Sequence, residues 1–172
     1  EETIEIEQVE SRPEVIWTFD NPLDEWGASG TFELARNPSV KPNDFVAESI
    51  LKGEVPVAEA DTLMVLEQFP EGLPLERIGG IVGEIRLSPE FATSDPVADV
   101  RVILQSEADH WIQLGSIPVD KARGEWISFR MEVTDPQQLK AMARLYAMRF
   151  QMASKKSVTG EVYLDNVGFL IR

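Results

Sequence analysis

Cysteine is absent from this 172-residue chain, histidine occurs once and tyrosine twice. Without cysteine there is no disulfide, no thiolate metal site and no cysteine nucleophile, and the redox compartment stays open. The single histidine, His110, supplies no zinc site of the usual histidine or cysteine type. It also adjoins no partner in sequence that would make it the base of a nucleophilic triad. No apolar run approaches the ~20 residues of a membrane-spanning helix. A cleavable secretory leader is not seen; either none belongs to the chain, or the chain begins after its removal. With 8% aromatic residues, the long flat platform that a crystalline polysaccharide requires is not expected.

What is plentiful is acid. Thirty Asp and Glu against sixteen Lys and Arg give a net charge of −14. Such a field repels phosphate backbones, so nucleic acid is not a general partner. It suits a well-solvated surface and the binding of cations. An apolar share of 43% and a charged share of 27% describe a globular chain long enough for one domain.

Gly, Pro, Asn and Asp punctuate the sequence at short intervals, with strand-like runs between them. The expected strands are Val15–Phe19, Thr31–Ala35, Phe45–Gly53, Thr62–Gln68, Gly80–Leu87, Val97–Gln105, His110–Gly115, Trp126–Val133, Leu145–Met152 and Glu161–Ile171. Runs of this length and spacing predict an antiparallel β-sandwich over residues 13–172. Residues 1–12, with acids alternating around Ile4 and Ile6, read as a linker or edge strand. One segment departs from the strand pattern. Asp135-Pro136 is a helix cap followed by proline at the first helical position, which predicts a short helix from Pro136 to about Ala143. The periodicity of Leu139, Met142, Ala143, Tyr146 and Phe150 also permits one longer helix. Gly79-Gly80-Ile81-Val82-Gly83 lacks the lysine and following helix of a phosphate loop and reads as strand entry.

Two stretches at opposite ends carry the most specific signal: Trp17-Thr18-Phe19-Asp20-Asn21-Pro22-Leu23-Asp24-Glu25-Trp26, and Tyr163-Leu164-Asp165-Asn166-Val167. They resemble the first and last strands of jelly-roll carbohydrate-binding modules and their galactose-binding-like relatives. The resemblance implies jelly-roll topology, chain ends lying side by side, and a structural Ca2+ near them. It implies Asp165 as a metal ligand, with Asp20 in the acidic position after Phe; the commonest pattern has Glu there, and a Gly before the loop Trp. Calcium takes six to eight oxygens, so ligands from distant segments would have to meet. The alternative for Asp165-Asn166 is a bulge or turn in which the carboxylate caps backbone N–H groups.

Alternation sorts the middle strands into faces. Val100, Val102 and Leu104 oppose Arg101, Ile103 and Gln105; Ile112 and Leu114 oppose Trp111 and Gln113. The short connection from Ser106 to Asp109 makes these two strands neighbours. Arg130 and Arg149 stand on the polar faces of later strands. If those strands share the sheet, Arg101, Gln105, Trp111, Gln113, Arg130 and Arg149 form a polar strip with one indole. A sugar asks for that mixture, an aromatic face for its C–H side and planar polar groups for its hydroxyls. Trp111 is either such a platform or a half-buried aromatic, and Trp126 is expected in the core.

Glycoside hydrolysis needs only two carboxylates, and thirty acids make any pair uninformative. The Glu-x-Asp-x-x-Glu strand motif of jelly-roll glucanases does not occur. The resulting expectation is a noncatalytic carbohydrate-binding module, recognising an oligo- or polysaccharide in a shallow groove. Its place would be extracellular, on the cell surface or periplasmic, tethered to a glycoside hydrolase or surface protein. The alternative is a structural or protein-interaction β-sandwich of a surface or secreted protein.

Overall fold

The computed structural model describes residues 12–17, 26–27, 32–36, 45–50, 62–66, 69, 71–107, 110–154 and 158–172. In chain order the strands are β1 (Arg12–Trp17), β2 (Trp26–Gly27), β3 (Phe32–Arg36), β4 (Phe45–Ile50), β5 (Thr62–Leu66) and β6 (Ile78–Leu87). They continue with β7 (Ala92–Thr93), β8 (Asp99–Ser106), β9 (His110–Pro118), β10 (Ile127–Glu132), β11 (Leu145–Ala153) and β12 (Val158–Ile171). One sheet has seven strands, ordered β10-β6-β12-β4-β3, with β1 and β7 also paired to β12. The other has five, ordered β2-β5-β11-β8-β9. All strand pairs are antiparallel, as the punctuation predicts.

Alternating side chains build the core between the sheets. Ile81, Ile85 and Leu87 from β6 meet Val100, Val102 and Leu104 from β8, all with essentially no exposure. Phe129 and Phe150 join the layers edge to face, with centroids 6.0 Å apart at 68°. Gly83 is needed at this junction, because a β-carbon there would lie 2.6 Å from the Phe129 ring. Gly80 admits β10 in the same way: a β-carbon would sit 2.1 Å from the Met131 carbonyl oxygen.

β12 is the spine of the larger sheet. On one side it pairs with β6 over most of its length, and on the other with β4 and then β1. The first and last described strands therefore lie side by side, as the two end motifs imply. Val162 and Leu164 face the core before the register break at Asp165-Asn166, and Val167 and Phe169 after it, so inward parity moves from even to odd. Asn166 makes that shift with φ 49°, a left-handed conformation that Asn tolerates better than most residues. Trp17 closes over this place, its ring 5.7 Å from Phe169.

Two one-turn to two-turn helices interrupt the strands. The helix α2 (Pro136–Ala141) is capped by Asp135, whose Oδ1 accepts from Gln137 N at 2.8 Å and Gln138 N at 3.4 Å. A single 3-10 turn, Met142–Arg144, carries the chain into β11, so the longer-helix alternative is not what forms. The four-residue α1 (Val119–Ala122) is unsignalled in sequence, having no side-chain cap. It buries Val119 and Ala122 where the chain passes from one sheet to the other.

The outer face of the larger sheet holds Tyr163, nearly buried, with Arg86 5.6 Å from its ring centre and a hydrogen bond to Glu161. Trp126 joins this cluster, 6.4 Å from Tyr163 and half-buried, which corrects its expected place in the core. It precedes β10 on the outward side, so alternation sends the indole away from Phe129.

Phe150→Ala should lower unfolding free energy by about 3–5 kcal/mol in denaturant titration, because a ring bridging both sheets leaves a cavity. A loss below about 1 kcal/mol would contradict the packing described.

Burial, then the hydrogen bond to and charge of Glu161, raise the Tyr163 phenol above its ordinary value near 10. The folded state therefore holds this proton longer than the unfolded state. Stability from the protonated phenol is complete below about pH 10 and declines as pH rises beyond it. Melts at increasing alkaline pH should show a shallower decline for Tyr163→Phe than for the wild type, and equal slopes would refute the assignment.

Candidate functional site

The five-stranded sheet turns one face away from the core, and register decides what stands on it. Gln105 of β8 lies opposite Trp111 of β9 and Ala147 of β11. Two residues along, Ile103 lies opposite Gln113 and Arg149; two further, Arg101 lies opposite Ser116 and Gln151. Directly opposed residues share a face. Arg101, Gln105, Trp111, Gln113 and Arg149 are thus brought together, over a floor that includes Ile103.

Arg149 is fixed from two directions. Its Nε donates to Gln105 Oε1 at 2.8 Å, and its guanidinium carbon lies 4.9 Å from the centre of the Trp111 ring. Gln105 is only 3% exposed, so the acceptor that orients Arg149 is itself held. Trp111 keeps 46% of its surface exposed, an unusual value for an indole on a sheet. Arg101 has a looser arrangement, its Nε 3.4 Å from Asp99 Oδ1. At the hairpin tip Glu107 adopts φ 53°, and its backbone N–H donates to Arg144 O at 3.4 Å while its carboxylate pairs with the Arg144 guanidinium. That pairing ties the turn between β8 and β9 to the start of β11.

Arg130 is not part of this strip. Its strand, β10, hydrogen-bonds to β6 at the edge of the other sheet, and Arg130 faces outward there, 3.0 Å from Glu132. Alternation along β10 is as expected; the sheet membership is not. Gln151, which alternation puts on the polar face with Arg149, joins the strip, and so does Ser116, which alternation does not place there. Gln151 lies beside Arg101 by plain alternation. Ser116 arrives through a register shift, Val102 facing Gly115 while Ile103 faces Gln113. The signal for it is Leu114-Gly115, two inward positions in succession.

The chain's closing region is a separate place. Asp165, 3% exposed, stands directly opposite Glu84 on the outer face of the larger sheet. Its Oδ1 accepts from Asn166 N at 2.8 Å, and Asn166 Nδ2 donates to Glu84 Oε2 at 3.1 Å. The bulge reading of Asp165-Asn166 is what the backbone does. The same place brings two carboxylates side by side, hard oxygen donors of the kind Ca2+ prefers. Among the described residues no group of three metal-ligating side chains is found, and Asp20 lies outside them.

A cavity of about 590 Å³ opens at the opposite end of β8, between residues 93–99 and 118–123. Several of its polar groups are already engaged. Arg123 Nε donates to Phe91 O and Nη1 to Asp120, while Asp95 accepts from Val97 N. Among the described residues no aromatic ring lines it. Among the described residues no helix is long and apolar enough to cross a membrane, which leaves β-barrels unaddressed.

No protein-family model and no curated protein matches this sequence. Solved structures do match the fold. The xylan-binding domain of carbohydrate-binding family 22 aligns with a TM-score of 0.55 at 11% identity, covering 90% of this chain and 91% of its own. The family 11 carbohydrate-binding module of the Clostridium thermocellum cellulosomal cellulase Lic26A-Cel5E aligns at 0.57 and 12%, over 94% and 95%. A family 28 module specific for non-crystalline cellulose aligns at 0.55 and 13%, over 95% and 98%. At these identities the likeness is one of fold: the chain has the jelly-roll sandwich of carbohydrate-binding modules.

Proposed function

We propose that this chain is a noncatalytic carbohydrate-binding module that holds a soluble glycan across the outer face of the five-stranded sheet. The observation carrying the proposal is the grouping of exposed Trp111 with Gln105 and Arg149, which are locked together before any ligand arrives. An indole can lie against the apolar C–H side of a pyranose, and planar amide and guanidinium groups can bridge adjacent hydroxyls. Preformed side chains lose little freedom on binding, which favours affinity. Arg101, Gln113 and Gln151 extend the polar surface along the strands. Binding by stacking and hydrogen bonds requires no reacting group.

The shared fold with xylan-binding and cellulose-specific modules supports this reading. A glycan ligand in turn favours a location outside the cytoplasm, on the cell surface or in the periplasm, beside a glycoside hydrolase or surface protein. Ca2+ enters the proposal as a structural ion. Asp165 and Glu84 would hold it on the larger sheet, with Asp20 as a further oxygen donor, and it would stiffen the closing strands without touching the sugar.

Glycan-array screening followed by calorimetric titration should detect binding that Trp111→Ala weakens by about tenfold or more, with the melting temperature nearly unchanged. Full retention of affinity by the variant would reject this face.

Saturating Ca2+ should raise the melting temperature of the wild type by several degrees, as expected for a ligand that binds only the folded state. Asp165→Asn should abolish the response. A wild-type melt indifferent to Ca2+ and to chelator would remove the ion from the account.

A further inference from the structure

We infer that the glycan taken by this face carries a carboxylate, a uronic acid unit seated at Arg149. The inference rests on the glycan-binding reading above and sharpens it from sugars in general to acidic ones. It begins with what surrounds each arginine. Arg101, Arg123, Arg130 and Arg144 each stand within ion-pair distance of a carboxylate. Arg77 and Arg172 bond to carbonyl oxygens and Arg86 lies over the Tyr163 ring, all away from this face. Of the two arginines on this face, Arg101 has a carboxylate beside it and Arg149, among the described residues, does not. Its partners are an amide oxygen and an aromatic ring, both uncharged.

The choice of glutamine at 105 gives this arrangement its meaning. Gln105 occupies a nearly buried position, directly across from Trp111, where a glutamate would fit with almost the same shape. A carboxylate there would neutralise Arg149. An amide oxygen orients the guanidinium through Nε and leaves its charge uncancelled. With Nε engaged, the two terminal nitrogens form the fork that receives a carboxylate through two parallel hydrogen bonds. The guanidinium carbon lies 4.9 Å from the centre of the Trp111 ring, and the partly exposed indole stays beside it for the sugar ring itself.

Arg101 lies further along β8, already drawn toward Asp99. A single charged unit at the Arg149 position, within an otherwise neutral stretch of chain, therefore matches the face better than a dense polyanion. The net charge of −14 acts in the same direction. It opposes a polymer charged at every residue, whereas at ~0.1 M salt, with a screening length of ~10 Å, it bears little on an isolated carboxylate in contact with Arg149.

The test compares glucuronoxylan, and separately polygalacturonate, with the same polymers after chemical reduction of their carboxyl groups to alcohols. Affinities are measured by calorimetry for wild type, Gln105→Glu and Arg149→Met, with thermal melts to show that each variant is folded. The expected result is glucuronoxylan bound about tenfold or more tighter than its reduced form, with polygalacturonate weaker than glucuronoxylan. In both variants that ratio should fall to near one. Equal affinity of the wild type for acidic and reduced polymers would overturn the uronate assignment and leave the glycan-binding reading standing. A wild-type preference that survives in Gln105→Glu and Arg149→Met would also overturn it. Absence of binding to every polymer, reduced or not, would bring down the glycan reading itself.

Discussion

The arrangement depends most on the register among β11, β8 and β9. Side chains alternate across a strand, so a slip of one residue would exchange the core and ligand faces at a stroke. Val102, Leu104, Met148 and Phe150 would go to solvent, and Arg149, Gln105 and Trp111 would turn inward. Burial of the apolar set thus holds the polar set in place, and the same hydrophobic term that stabilises the sandwich positions its candidate site. The register makes Gln105 and Arg149 diagonal neighbours on one face of adjacent strands, within reach of the contact they form.

The larger sheet performs a different task. β12 receives β6 on one flank and both β4 and β1 on the other, so the chain's two ends are joined through one strand. The bulge at Asp165-Asn166 lies in the interval between β4 and β1 on that flank. Without a parity change there, Val167 and Phe169 would face outward instead of packing under Trp17. The same irregularity leaves Asp165 and Glu84 side by side. A packing requirement and a possible ion site are therefore consequences of one backbone feature.

Much of this is visible in the sequence because β-strands expose their periodicity directly. The ten anticipated strands all appear, with ends displaced by a few residues, and the Asp135-Pro136 cap marks a real helix. What alternation cannot give is partnership. Arg130 reads like Arg149 in sequence, since both sit on polar faces flanked by apolar neighbours. Only long-range pairing separates β10, beside β6, from β11, beside β8. Trp126 shows the same limit: a strand-entry tryptophan is apolar enough for the core, yet its position in the pleat sends it to the outer cluster with Tyr163. Ser116 was hidden by the bulge at Leu114-Gly115, and α1 has no capping side chain to announce it. The locking of Arg149 by Gln105 joins positions 44 residues apart and has no local signal at all.

The most direct test of the central claim is nuclear magnetic resonance of the 15N-labelled protein titrated with a bound oligosaccharide. Four tryptophans give few indole signals to resolve. The account predicts that the Trp111 indole and Arg149 Nε signals shift most, together with the β8, β9 and β11 amides around Gln105. Shifts gathered instead around residues 93–99 and 118–123, with Trp111 and Arg149 unmoved, would place the ligand in the end cavity and contradict the account.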